Sequence, residues 1–117
     1  EAAAKAALKL HVNTVRDERE VGPFTVNGYS VDTDDKSKVK ITGKAVAIQE
    51  GNVSGDVRWR MADDVTYSIP QSDFMRVASG ASEKIEAVYA FSWQLKAEID
   101  AGTVTTTDEI DNADWPM

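Results

Sequence analysis

His11 is the only histidine in this chain of 117 residues, and histidine is the side chain most often used as a general base. It sits in the middle of a stretch with helical spacing. With no second histidine and no cysteine in the sequence, it has no thiol nucleophile to activate and no companion for a zinc site. A serine nucleophile needs a base within hydrogen-bonding reach, and only His11 or a lysine could serve. No Gly-x-Ser-x-Gly turn, Gly-x-x-x-x-Gly-Lys loop or Gly-x-Gly-x-x-Gly fingerprint occurs. Twenty acidic residues make paired carboxylates inevitable, so a pair alone does not point to a glycosidase. Asp32-Thr-Asp-Asp35 and the acidic C-terminal stretch lack the glycine and closing glutamate of a calcium-binding EF-hand loop. Helix capping accounts for the first run and solvation for the second. The inventory predicts a protein that is not an enzyme, with no catalytic residue, no metal and no cofactor.

The net charge of −7 repels a phosphate backbone on average. The densest basic cluster is Lys36, Lys38, Lys40 and Lys44, directly after Asp32, Asp34 and Asp35. Acid before base suits a helix dipole, so no nucleic-acid partner is expected. No membrane partner is expected either, since every apolar run is too short to span a bilayer. That leaves the aromatics. Trp59, Trp93 and Trp115 belong to the residue type most enriched among interface anchors.

The elements that must position these side chains follow from periodicity. Glu1 to about Glu20 is Ala-rich, with Ala4, Leu8, Val12 and Val15 on one helical face, and Gly22-Pro23 stops it. Phe24 to Val31 predicts a hairpin turning at Asn27-Gly28. Asp32 to Asp35 can cap a helix running to Gly51, with a broad apolar face of Val39, Thr42 and Val46 beside Ile41, Ala45 and Ile48. Gly43 inside that helix should weaken it by about 1 kcal/mol relative to alanine. Val57–Met61 and Val65–Ile69 alternate strictly around Ala62-Asp63-Asp64, a second hairpin with a three-residue connection. Val57, Trp59 and Met61 share one face, with Arg58 and Arg60 on the other.

Ser68-Ile-Pro-Gln71 has capping-box spacing and should open a long helix that ends at Ala101 before Gly102. Phe74, Ala78, Ala81, Ile85, Val88, Ser92, Leu95 and Ile99 form a heptad seam along it. Such a helix, about 45 Å long, exceeds the width of about 26 Å expected of so small a compact domain. The seam therefore lies along the sheet or packs on another helix, either the N-terminal one or a partner subunit's. Residues 103–117 form an acidic tail in which Thr106-Thr-Asp-Glu109 predicts a short capped turn before Trp115-Pro116. Trp93 falls at the edge of the seam, where it could anchor a contact or lie on the sheet. Trp115 could fold back on its own domain or plug a partner. The fold class is α+β: one small antiparallel sheet of about four strands from two β-hairpins, packed with an N-terminal, a middle and a long C-terminal helix.

Three stretches in combination carry a family resemblance. They are Gly22 to Asp34, the helix start Ser68-x-x-Gln-x-x-Phe74, and Lys96 to Pro116 with its ending Ile-Asp-x-Ala-x-Trp-Pro. Together they resemble a bacteriophage and prophage domain of formerly unknown function, found at the C-terminal end of tail-fibre assembly and related tail proteins. The stretch from Ala6 to Glu20 resembles the helix that opens this domain. The resemblance covers nearly all of residues 1–117, read as a single domain, and implies that an N-terminal part normally precedes it. It implies no active site. What it does imply is a structural or chaperone-like role in a virion tail, or in the host bacterial cytoplasm during assembly.

The expected function is thus a tail-fibre-associated module acting by protein–protein contact. Its expected partners are tail-fibre or other phage tail proteins, with a homo-oligomer through the long helix. The candidate contact residues are Trp59, Ala81, Ile85, Val88, Trp93, Leu95 and Trp115. The alternative is a module that binds a host-surface receptor or glycan, with the Trp59 hairpin as its platform.

Overall fold

The structure is a computed structural model that describes residues 2–117; Glu1, the first residue of the expected opening helix, lies outside them. The described residues form an α+β protein of four helices and two small antiparallel two-stranded sheets. The elements are α1 (Ala2–Arg19), β1 (Phe24–Val26), β2 (Tyr29–Val31), α2 (Asp35–Gln49), β3 (Val57–Arg60), β4 (Thr66–Ile69), α3 (Gln71–Ala101) and α4 (Thr107–Asp111). They divide into two compact units. A hairpin unit holds Val21–Lys84 with Met117, and a helical unit holds the residues up to Glu20 with Ile85–Pro116.

In the hairpin unit, Asn27 (φ 52°) and Gly28 (φ 84°) both turn left-handed, the backbone a type I′ turn demands and the reason Asn-Gly stands there. Phe24 then pairs with Val31, and both are buried along with Val26. The second hairpin sets Val57 opposite Ile69 and Trp59 opposite Tyr67. Its three-residue connection closes with Met61 N–H on Val65 O (3.0 Å) and Asp64 left-handed at φ 64°. The expectation of one four-stranded sheet is corrected here: the strands form two separate sheets. Between the hairpins stand one main-chain bond, from Ala62 N–H to Ser30 O at 2.9 Å, and an edge-to-face contact of Tyr29 with Tyr67 at 5.1 Å. β2 ends at Val31, and the chain turns away to cap α2 before a ladder along β3 can form.

Asp34 caps α2, accepting from Ser37 N–H at 3.4 Å and from the Ser37 hydroxyl at 2.5 Å. The Ser37 hydroxyl holds the Asp34 carboxyl below its ordinary range. The helix stops at Gly51, where Gly51 and Asn52 donate back to Ile48 O and Ala47 O. Its broad apolar face is covered only in part: Ile41 is buried and Ala45 and Ile48 are half-buried, but Val39 is 72% exposed and Val46 is exposed as well. Periodicity gathers residues on one side of a helix, whereas burial requires a surface to lie against, and only part of this side finds one.

The start of α3 also differs from expectation. Ser68 remains in β4, and Pro70 O accepts the first helical bond from Phe74 N–H at 2.9 Å. Gln71 does not reach back to Ser68. Its amide donates to Val53 O (2.9 Å) and Gly55 O (2.8 Å), fastening the loop ahead of β3. Phe74 meets the Trp59 ring edge-to-face at 4.9 Å. At Gly80 the helix has no room for a side chain, because a Cβ there would overlap Val26 Cγ1.

The helical unit consists of α1, Ile85–Ala101 of α3, and α4. Val12 and Val15 of α1 are buried, as are Val88, Ser92, Leu95 and Ile99 of α3, with Ile110 and Trp115 beyond them. Leu8 is half-buried and Ala4 exposed, so the expected α1 face is buried only over its second half. Ser92 satisfies its hydroxyl on Tyr89 O at 2.6 Å. Lys9 pairs with Asp100 (2.7 Å), and Lys5 donates to Asp100 O (2.9 Å). The tail turn forms as its spacing predicted. Thr106 Oγ1 accepts from Glu109 N–H (3.2 Å), and Glu109 accepts in return from Thr105 N–H (3.3 Å) and both threonine hydroxyls. The Thr105 amide leads the bonds that draw the Glu109 carboxyl below its ordinary range.

Candidate interaction surfaces

The eight seam residues of α3 are all buried or half-buried within the chain. Among the candidate contact residues, Ala81, Val88 and Leu95 are therefore core. Trp115 is core too: its indole N–H donates to Ile110 O at 2.9 Å and its ring tilts against Phe91 at 4.9 Å. Of its two expected fates, the fold-back is the one observed. Trp59 is half-buried, with its ring engaged by Phe74.

Two candidates remain on the outside, and the structure brings them together. Trp93 is 63% exposed, and with Ile85, Glu86, Tyr89 and Ala90 it lines a shallow, mostly apolar hollow of about 560 Å³ on the outer side of α3. These residues recur at helical spacing, so successive turns of one helix build the surface. Sequence reading passed over Tyr89, which gives the hollow its stiffness. Arg16 stacks over the Tyr89 ring at 5.0 Å, and the phenol bonds to the Glu20 carboxylate, which holds its proton above the usual phenol range. Pairing 89 with 16 and 20 needs the α1–α3 packing, which spacing alone does not give.

A second concavity lies in the hairpin unit. It encloses about 280 Å³ between the outer side of β3, the end of β2 and the first turns of α2. Lys40, Arg58 and Arg60 line it with a single carboxylate, Asp32, around a floor that includes Trp59, Ile41 and Met61. Arg60 is shared with Asp64 (2.8 Å) and Thr66 (3.1 Å), which keeps the Asp64 carboxyl low. Neither Lys40 nor Arg58 has an ion-pair partner within 4.0 Å among the described residues. The alternation Arg58-Trp59-Arg60 was visible in sequence, but which edge of the hairpin it bordered was not.

His11 lies in the helical unit, its Nε2 2.6 Å from Asp111 Oδ1, a link between α1 and α4. The shallow hollow around it adds Thr14, Glu18 and Arg19, and the Thr14 hydroxyl bonds to Leu10 O. Among the described residues no three His, Asp or Glu side chains gather as a metal site, and no helix is long and apolar enough to cross a membrane.

Residues 3–114 match the family model described as a domain of unknown function, DUF4376. The chain belongs to this family. No curated protein and no solved structure matches it. In this DUF4376 domain the family match runs through both units, from early α1 to the turn after α4.

Proposed function

We propose that this DUF4376 domain is a non-catalytic module of phage tails. It serves tail-fibre structure or assembly, in the virion tail or in the host cytoplasm during assembly, through protein–protein contact. The observation that carries this reading is the Trp93 hollow. It presents the largest exposed aromatic side chain of the described residues on a rigid helix, beside a tyrosine already fixed by Arg16 and Glu20. Anchors of this kind concentrate binding energy in a few rigid aromatic residues. The tail context is supported by the resemblance of the Gly22–Asp34 and Lys96–Pro116 stretches to phage tail domains. Because the seam residues other than Ile85 are occupied inside the chain, and Ile85 itself lines the hollow, both a tail protein and a second copy of the chain would meet α3 on this outer side.

Affinity capture of the tail-fibre protein encoded nearest the gene, co-expressed with the domain, tests the reading. Trp93→Ala should weaken capture by about 2 kcal/mol or more, roughly thirtyfold, with the circular dichroism spectrum unchanged. Multi-angle light scattering on the same variant reports whether self-association uses the same hollow. Capture that is indifferent to Trp93, or no capture by the native domain, would defeat the proposal.

A further inference from the structure

The open side of β3 is unfinished in a specific way. The Met61 N–H to Val65 O bond and the register Trp59↔Tyr67 place residues 57, 59 and 61 in the hydrogen-bonding positions toward β4. The N–H and C=O groups of Arg58 and Arg60 must therefore point the opposite way, into the cationic concavity. Neither residue makes a main-chain bond to any other element among the described residues. The free groups of Arg58 and Arg60, beside Trp59, Ile41, Met61 and Lys40 and bounded at one end by the Ala62 N–H bond to Ser30 O, are a template for one more short strand.

We propose that this edge takes up an extended acidic peptide segment of a partner protein as a third strand of the β3–β4 sheet. Charge selects the occupant. Arg60 is shared with Asp64, which leaves Lys40 and Arg58 without ion-pair partners among the described residues, beside the single lining carboxylate, Asp32; on a chain whose net charge is −7, an acidic ligand finds local attraction here. The same charges reject a second copy of the chain, since antiparallel pairing of two β3 edges would set arginine against arginine. Side chains of an added strand alternate between faces. Every second ligand residue would thus lie on the arginine face and should be acidic, with apolar residues between them facing the Trp59 side. The site is independent of the Trp93 hollow, so either can fail without the other.

The test titrates the ¹⁵N-labelled full chain with an end-blocked peptide alternating glutamate and valine, beside versions in which glutamine or lysine replaces glutamate. Exchange of the Arg58 and Arg60 amides should slow on binding, while that of the Trp59 amide, already committed to β4, should not change. N-methylation of alternate peptide amides in the bonding register should abolish binding. The double variant Arg58→Glu, Arg60→Glu should bind the glutamate peptide at least tenfold more weakly and prefer the lysine peptide. Both side chains are exposed, and the dispersion of the remaining amide signals checks that the variant is folded. The proposal is overturned by equal affinity for the glutamine peptide, by shifts confined to the α2 lysines, by self-pairing of β3 without peptide, or by no binding.

Discussion

The two units reach closure by different means. In the helical unit the described elements are tied to one another: α4 by its reciprocal threonine–glutamate cap, the tail by the Trp115 indole on Ile110 O, the first half of α1 by Lys5 and Lys9 on Asp100. In the hairpin unit the turns are well determined, yet strand edges and part of an apolar helix face stay open. Local sequence signals are strong in both. What separates them is buried area at a distance: a long helix offers several turns to its neighbours, whereas a strand of three or four residues offers one or two side chains. The helical unit thus has a closed core with one apolar hollow left open at Trp93, and the hairpin unit is a framework holding accessible groups in place.

The sharpest way to break the contrast is Trp115→Ala. It removes a buried ring and its hydrogen bond from the closed unit and should cost about 3–5 kcal/mol in urea unfolding. A loss below 1 kcal/mol would mean the tail is not part of the core. Two glycines inside helices then give opposite signs. Gly80→Ala forces a methyl into Val26 and should destabilise by about 1–3 kcal/mol, with part recovered in the double variant Val26→Ala, Gly80→Ala. Gly43→Ala meets nothing within 4 Å and should stabilise by about 0.5–1 kcal/mol, raising the urea midpoint. Acid has the smallest expected effect. The folded chain holds the Asp34, Asp64 and Glu109 carboxyls below their ordinary range, so the unfolded chain binds protons more readily at these sites. Their contribution is complete well above pH 4 and is lost as pH falls from about 4 through the lowered folded values. Thermal midpoints measured from pH 6 down to 3 should fall in that window, and fall less when Glu109→Gln removes one of the three.

Much of this was legible in sequence, for local reasons. Asn27-Gly28, the Ala62–Asp64 connection, the Thr106–Glu109 cap and the α3 seam are settled by residues within a few positions of each other, where backbone preference and helical spacing act directly. The misreadings share a different cause. Whether β2 would join β3, whether anything would cover Val39, and where the Gln71 amide would turn all depend on chain segments far away in sequence. Of the candidate site, Trp93 and Ile85 were found by residue type and position at or beside the seam. Tyr89 was not, and Arg58 and Arg60 were legible only as one face of the hairpin, because packing alone brings Lys40 beside them and Arg16 and Glu20 beside Tyr89.

The absent side chain at Gly80 has an evolutionary corollary. Positions 80 and 26 share one small volume, so neither can drift alone: a lineage that acquires alanine at 80 must shrink the residue at 26, and one that keeps a branched residue at 26 must keep glycine at 80. Paired change at these two sites among homologues would be the historical trace of that constraint.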